Sequence, residues 1–239
     1  MRVTNWEAHF PRLSDLYRNS DMNNPSNYFL RENVVSALSK SSQAAIKLEK
    51  EFQRLSAVAW TEFKPKALKY VCVTHPRRDY NALFECFNEV KGYIRLSSKY
   101  EDIHFIPESS TTAPDLIAFS KTSSALMAFS KTSSALMEVK TINESDKELD
   151  YFDIPLEKRD ALRVEHAVSE SLKAKVSSAI SKAEKQLLGY TKHTVTERII
   201  YLVVRLDFQC ATSASAQDLD SFLKGQSGKD IMIERLILN

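Results

Sequence analysis

Asp115, Glu138 and Lys140 are the residues of this 239-residue chain whose types and spacing could do chemistry. Pro114-Asp115 opens one short apolar segment, Asp115–Phe119, and Glu138-Val139-Lys140 lies inside another, Leu136–Ile142. In an extended strand successive side chains point to opposite faces, so Glu138 and Lys140 share one face and Val139 takes the opposite, buried one. A hairpin would carry Asp115 across to them. Two carboxylates in one pocket repel each other unless a cation neutralises them, and oxygen donors of this kind suit Mg²⁺ or Mn²⁺. An ammonium beside the Glu can hold a water next to such an ion and favour its deprotonated form. Metal, oriented water and lysine together can attack a phosphodiester and stabilise the charge that develops on it. The same residues also read as a surface Asp at a turn and a Glu/Lys pair at a strand edge. The apolar setting, LMEVKTI, favours the first reading, because a charged pair in such a strand needs a reason.

The elements that must position these residues follow from periodicity. The first ~80 residues read as a helical N-terminal extension, with a turn cluster at Asn23–Asn27 and a helix over Ser41–Ala59. A second helix spans Asn81 to about Ile94, with Leu83, Phe84, Phe87, Val90 and Ile94 as its buried stripe. The pattern then shortens to strands at His104–Ile106, Leu116–Phe119 and Leu136–Ile142. From Arg163 to Tyr190, apolar residues recur at steps of three or four, which predicts one long amphipathic helix ending near Gly189. Ile200–Leu206 is a nearly unbroken apolar run, as in a central buried strand. A short helix near Gln217–Lys224 and a strand at Ile231–Leu238 close the chain. The order indicates an α/β fold: a mixed β-sheet flanked by helices, in a domain covering 81–239.

The decapeptide AFSKTSSALM occurs twice in succession, at Ala118–Met127 and Ala128–Met137. Units this short and few do not make a solenoid. Without one copy the text is strand, polar turn, strand. With both, the expected outcome is a hairpin whose tip is extended or extruded, because closing a loop ten residues longer costs under about 1 kcal/mol.

Composition sets the outer limits. At 43% hydrophobic and 27% charged, the chain can bury a real core, which excludes a disordered or low-complexity protein. The formal net charge of +2 is too mild to announce nucleic acid or a membrane surface. No apolar run approaches the roughly 18 residues of a membrane span, and the first residues lack a signal-type apolar stretch, so the expectation is cytoplasmic. Cys72, Cys86 and Cys210 are odd in number and widely spaced, against a disulfide framework or a zinc knuckle. Gly92, Gly189, Gly225 and Gly228 assemble no phosphate-cradling glycine loop, and no G-x-S-x-G elbow is present.

Four stretches, IPESSTTAPDLIAF, LMEVKTI, AISKAEKQLLGY and IIYLVVRL, together resemble the PD-(D/E)xK nuclease superfamily, the restriction-endonuclease-like fold. The resemblance covers about Asn81 to Leu206 and leaves the N-terminal extension unexplained. It implies Asp115 and Glu138 as metal ligands, Lys140 as the water-positioning group, and Mg²⁺ or Mn²⁺ as cofactor. Gln186-Leu-Leu-Gly-Tyr190 is similar to the QxxxY element of the recombination-nuclease branch, which implies supporting or substrate-binding roles for Gln186 and Tyr190. Superfamily members often add a Glu from the first core helix. Glu85 and Glu89 are the candidates here, with Glu85 preferred for a helix lying across the sheet.

Lys173, Lys175, Lys182 and Lys185 punctuate the long helix and could touch phosphates, although an ordinary solvated face interleaved with Glu165, Glu170 and Glu184 reads the same way. His75-Pro-Arg77-Arg78 could also contact nucleic acid, and His104 reads as a packed core histidine. The expected function is a metal-dependent nuclease acting on DNA; its oligomeric state is left open, a homodimer being one option. The alternatives are a nuclease-like module that binds nucleic acid or protein without cutting, and an adaptor whose helical N-terminus is the working part.

Overall fold

The computed structural model describes residues 6–73, 80–107, 113–120, 133–142, 168, 170–205, 213–226 and 231–238. The fold is mixed α/β, with an N-terminal helical region followed by strands with helices packed on them. The chain comprises two compact units, Met1–Thr111 with Asp115–Thr132, and Thr112–Pro114 with Ser133–Asn239.

The first unit begins with helices α1 (Trp6–His9), α2 (Pro11–Asn19), α3 (Glu32–Ser39), α4 (Gln43–Gln53), α5 (Ala57–Tyr70) and α6 (Asn81–Leu96). The single helix expected over Ser41–Ala59 is therefore two. Ser42 Oγ accepts from Ala45 N–H to start α4, and Ser56 Oγ accepts from Ala59 N–H to start α5. Periodicity missed the break because Phe52, Leu55 and Ala59 stay buried across it. Buried Glu49 on α4 caps α2 from outside, accepting from Arg12 N–H (3.1 Å) and Leu13 N–H (3.0 Å). Those are donors that a helix start leaves without an internal partner.

An aromatic cluster ties these helices to the strands that follow. Phe52 meets Trp60, Phe63 and Phe87 at ring-centroid distances of 5.7, 5.7 and 5.1 Å, and Phe63 meets Phe105 at 5.2 Å. Strands β1 (Asp102–Phe105) and β2 (Leu116–Phe119) pair antiparallel, with His104 opposite Ile117 and Phe105 opposite Leu116. Helix α5 packs on β1, and α6 packs on α4, α5 and β2. The first helix of the expected nuclease domain thus shares a core with the N-terminal helices.

The second unit holds β3 (Ser134–Ile142), α7 (Glu170–Gly189), β4 (Glu197–Arg205), α8 (Ser213–Lys224) and β5 (Met232–Leu238). Strands β3, β4 and β5 are parallel, with β4 central, and α7 packs on β3 and β4. The apolar run Ile199–Val204 is buried throughout, as an interior parallel strand requires. Leu172, Val176, Ile180, Ala183 and Leu187 form the buried stripe of α7. Ser134 and Thr196 lock the start of the β3–β4 register: Thr196 Oγ accepts from Ser134 N–H (2.9 Å) and donates to Ser134 O (2.7 Å). No helix among the described residues is long and apolar enough to cross a membrane.

The inner part of the repeat, residues 121–132, and with it the expected extruded tip, lies outside the described residues, as does His75-Pro-Arg77-Arg78. The second copy's Ser134–Met137 opens β3 and is fully buried. Deletion of Ala128–Met137 leaves the first copy's identical Ser124–Met127 directly before Glu138, so the shortened chain is expected to fold with an unfolding midpoint close to the parent's. Loss of cooperative unfolding in a urea titration of that deletion would show that both copies are needed.

His104 is not packed away in the core. It is partly exposed and bridges two carboxylates, Glu62 at Nδ1 and Asp102 at Nε2, each at 2.8 Å. Burial lowers its pKa, but hydrogen bonds and charge from Glu62 and Asp102 outweigh this and hold it above the ordinary histidine value. A raised folded-state pKa means that the stabilisation is complete below the unfolded value near ~6.5 and is lost as pH rises through the folded one. His104→Gln should therefore cost stability at pH 5.5, by about 1 kcal/mol or less given the partial exposure. The gap to the parent should close by pH 8.5. Urea midpoints whose separation stays constant over that range would contradict it.

Candidate functional site

Asp115 enters β2 with its backbone held, since its carbonyl accepts from Ile106 N–H at 2.9 Å. Its side chain accepts from Lys66 Nζ at 3.1 Å, and the same ammonium lies 2.7 Å from Glu89 Oε2. Lys66 comes from α5 and Glu89 from α6, so two helices and a strand converge on one cation. All three side chains are largely withdrawn from water, with exposures of 12% for Lys66, 9% for Glu89 and 16% for Asp115. Burial pulls the Lys66 pKa down, but Asp115 and Glu89 outweigh it and hold the ammonium well above the usual lysine value.

In the second unit Glu138 is 1% exposed, at the middle of β3. Strand alternation puts Lys140 on its face, and Lys140 Nζ is ion-paired with Glu138 Oε1. The same nitrogen donates to Gln186 Oε1 at 2.9 Å. The Gln186 amide then donates to the carbonyl of Ala113 at 3.2 Å, two residues before Asp115 in the chain. Val139 is buried on the opposite face. The E-x-K pair and the helix Gln thus form one hydrogen-bonded line running from β3 through α7 to Ala113.

The other expected site residues fall elsewhere. Glu85 is exposed and accepts from Asn81 Nδ2 at 2.9 Å, whereas Glu89 is buried beside Lys66. The two share a helix face, but the middle of α6 is enclosed from Cys86 to Tyr93 on most sides while its first turn is open. Tyr190 lies just beyond the end of α7, at Gly189, with its ring 6.1 Å from that of His193. Lys182 is exposed on α7. Lys173 is ion-paired with Glu170 and Asp218, at 3.2 and 3.6 Å.

Lys66 escaped the sequence reading. Its signal was its position three residues after Phe63 and beside Ala67, both fully buried, where a lysine on α5 must find an anion. Within neither unit do three or more His, Cys, Asp or Glu side chains of the described residues gather into a metal cradle. The donors present nonetheless suit a hard divalent ion. Asp115 and Glu89 already share one cation, and Mg²⁺ commonly uses one or two carboxylates with waters completing its shell.

Gln186→Leu removes the acceptor for Lys140 and the donor to Ala113 O together. An expected loss of about 1–3 kcal/mol, read from urea unfolding of the full chain, follows from leaving those half-buried groups without their partner. A loss under about 0.5 kcal/mol would mean that solvent replaces both bonds. Comparison with family models, curated proteins and solved structures gives no match.

Proposed function

We propose that this chain is a metal-dependent nuclease hydrolysing phosphodiester bonds, with DNA as its substrate, on a restriction-endonuclease-like fold. The observation that supports it most is the line Glu138–Lys140–Gln186–Ala113. Packing alone gives no reason for a buried carboxylate in the middle of an apolar strand. A lysine two residues on, aimed by a glutamine from α7, is what water-directed phosphoryl chemistry uses.

In this mechanism Asp115 and Glu138 supply oxygen donors for Mg²⁺ or Mn²⁺. Glu89 takes the helix-carboxylate role in preference to the exposed Glu85. When bound, the ion would polarise the phosphate and lower the pKa of a water beside it. Lys140, restrained by Glu138 and Gln186, orients that water and offers positive charge to the phosphate oxygens. Gln186 fixes the ammonium's direction, and exposed Lys182 on α7 is available to a flanking phosphate.

A second reading, a nuclease-fold module that binds nucleic acid or a protein without cutting, is favoured by one observation. The chain's own Lys66 pairs with both Asp115 and Glu89 and offsets their charge.

Supercoiled and linear DNA, and RNA, incubated with the full chain should separate these readings. Products are expected with Mg²⁺ or Mn²⁺ and none with excess chelator. Asp115→Ala and Lys140→Ala should each lower the rate at least about a hundredfold while far-ultraviolet circular dichroism stays that of the parent. Binding to DNA with no metal-dependent product would select the binding module, and full activity in Lys140→Ala would remove the lysine from the mechanism.

A further inference from the structure

Helix α5 lies outside the stretch that resembles the nucleases, yet it delivers the cation on which Asp115 and Glu89 converge. We propose that Lys66 is a built-in counter-cation that a divalent ion must displace from Asp115 and Glu89, so that α5 sets how readily the site takes up metal. The proposal rests on the metal-dependent reading above and deepens it.

The geometry makes the two cations competitors. The Lys66 ammonium sits 2.7 Å from a Glu89 oxygen and 3.1 Å from an Asp115 oxygen. A divalent ion takes carboxylate oxygens at about 2.0–2.5 Å, so it needs the same space between the same two groups. With side-chain exposures of 9–16%, solvent screens the repulsion between ion and ammonium poorly. Both cannot hold the pair at once. An ammonium brings one positive charge to two carboxylates, whereas a divalent ion brings two. That difference gives the ion the means to win at sufficient concentration.

Lysine suits such a placeholder. Its charge is compact and carried on a flexible four-carbon stem, so it can leave without moving the backbone of α5, and arginine's rigid planar fork would not withdraw as readily. While in place it offsets the repulsion between the two carboxylates. Metal uptake then requires only that one side chain move.

The test uses the full chain and Mn²⁺ alone as probe. Lys66→Met keeps the length of the stem and removes the charge. Calorimetric titration should show Mn²⁺ binding at least about tenfold tighter than in the parent. A folded Lys66→Met that binds Mn²⁺ no tighter than the parent would overturn the proposal. If Lys66→Met does not fold, the parent itself decides. Acetylation by an N-hydroxysuccinimide ester, read by peptide mass spectrometry, should find Lys66 protected without metal and several-fold more reactive at saturating Mg²⁺. Exposed Lys47 should be unchanged. A parent that binds Mg²⁺ and cleaves DNA while Lys66 stays protected would refute the displacement and leave the nuclease reading standing. No Mn²⁺ binding by parent or variant would overturn both.

Discussion

A carboxylate withdrawn from water needs a cation or a set of N–H donors to go with it, and twice in this chain the partner is a lysine. Asp115 and Glu89 share the ammonium of Lys66, and Glu138 has that of Lys140. Stripping one partner from a buried pair of this kind costs about 3–5 kcal/mol, because the other charge is stranded. Replacing a whole pair by apolar side chains of the same volume is, by contrast, often neutral or stabilising. Stability therefore explains why the pairs stay intact but not why charges are there at all. The chemistry proposed above, which uses negative oxygen atoms and a directed ammonium, would give them a reason to be there.

The scaffold is arranged so that these groups have little freedom. Asp115 is pinned through its own carbonyl by Ile106, just after the strand that α5 grips through Glu62, whose carboxylate accepts from Phe105 N–H at 3.0 Å. Lys66 is one turn further along the same helix, so the element that holds β1 also carries the counter-cation. In the other unit, β3 is held in register with β4 from its first residue by Ser134 and Thr196. That pairing places Glu138 opposite Ile200, in the buried stretch of β3, and partly buried Lys140 opposite Leu202. Helix α7, seated by its apolar stripe, then brings Gln186 onto the lysine.

The parts legible in the sequence were those written in strong periodicity. The α6 stripe at Leu83, Phe87 and Val90, the stripe of α7 and the apolar run of β4 all carry their signal within one element. Strand alternation likewise put Glu138 and Lys140 on one face with Val139 buried opposite. The break at Ser56 was not legible, because two helices that bury against the same core continue one apolar pattern, and only the cap divides them. The burial of Glu89 and the exposure of Glu85 were not legible either. Both share a helix face, and how deeply each is enclosed depends on elements distant in sequence. Lys66 was hidden for the same reason: a lysine is a strong sign of a site only when its carboxylates are known, and they lie 23 and 49 residues away.

The most direct test of the account is the position of one ion. A crystal of the full chain grown with Mn²⁺ and measured at the manganese absorption edge should show an anomalous peak with carboxylate oxygens of both Asp115 and Glu138 at about 2.0–2.4 Å. Lys140 Nζ should not be among its ligands. A peak coordinated by neither carboxylate, or no peak under conditions in which DNA is cleaved, would contradict the account.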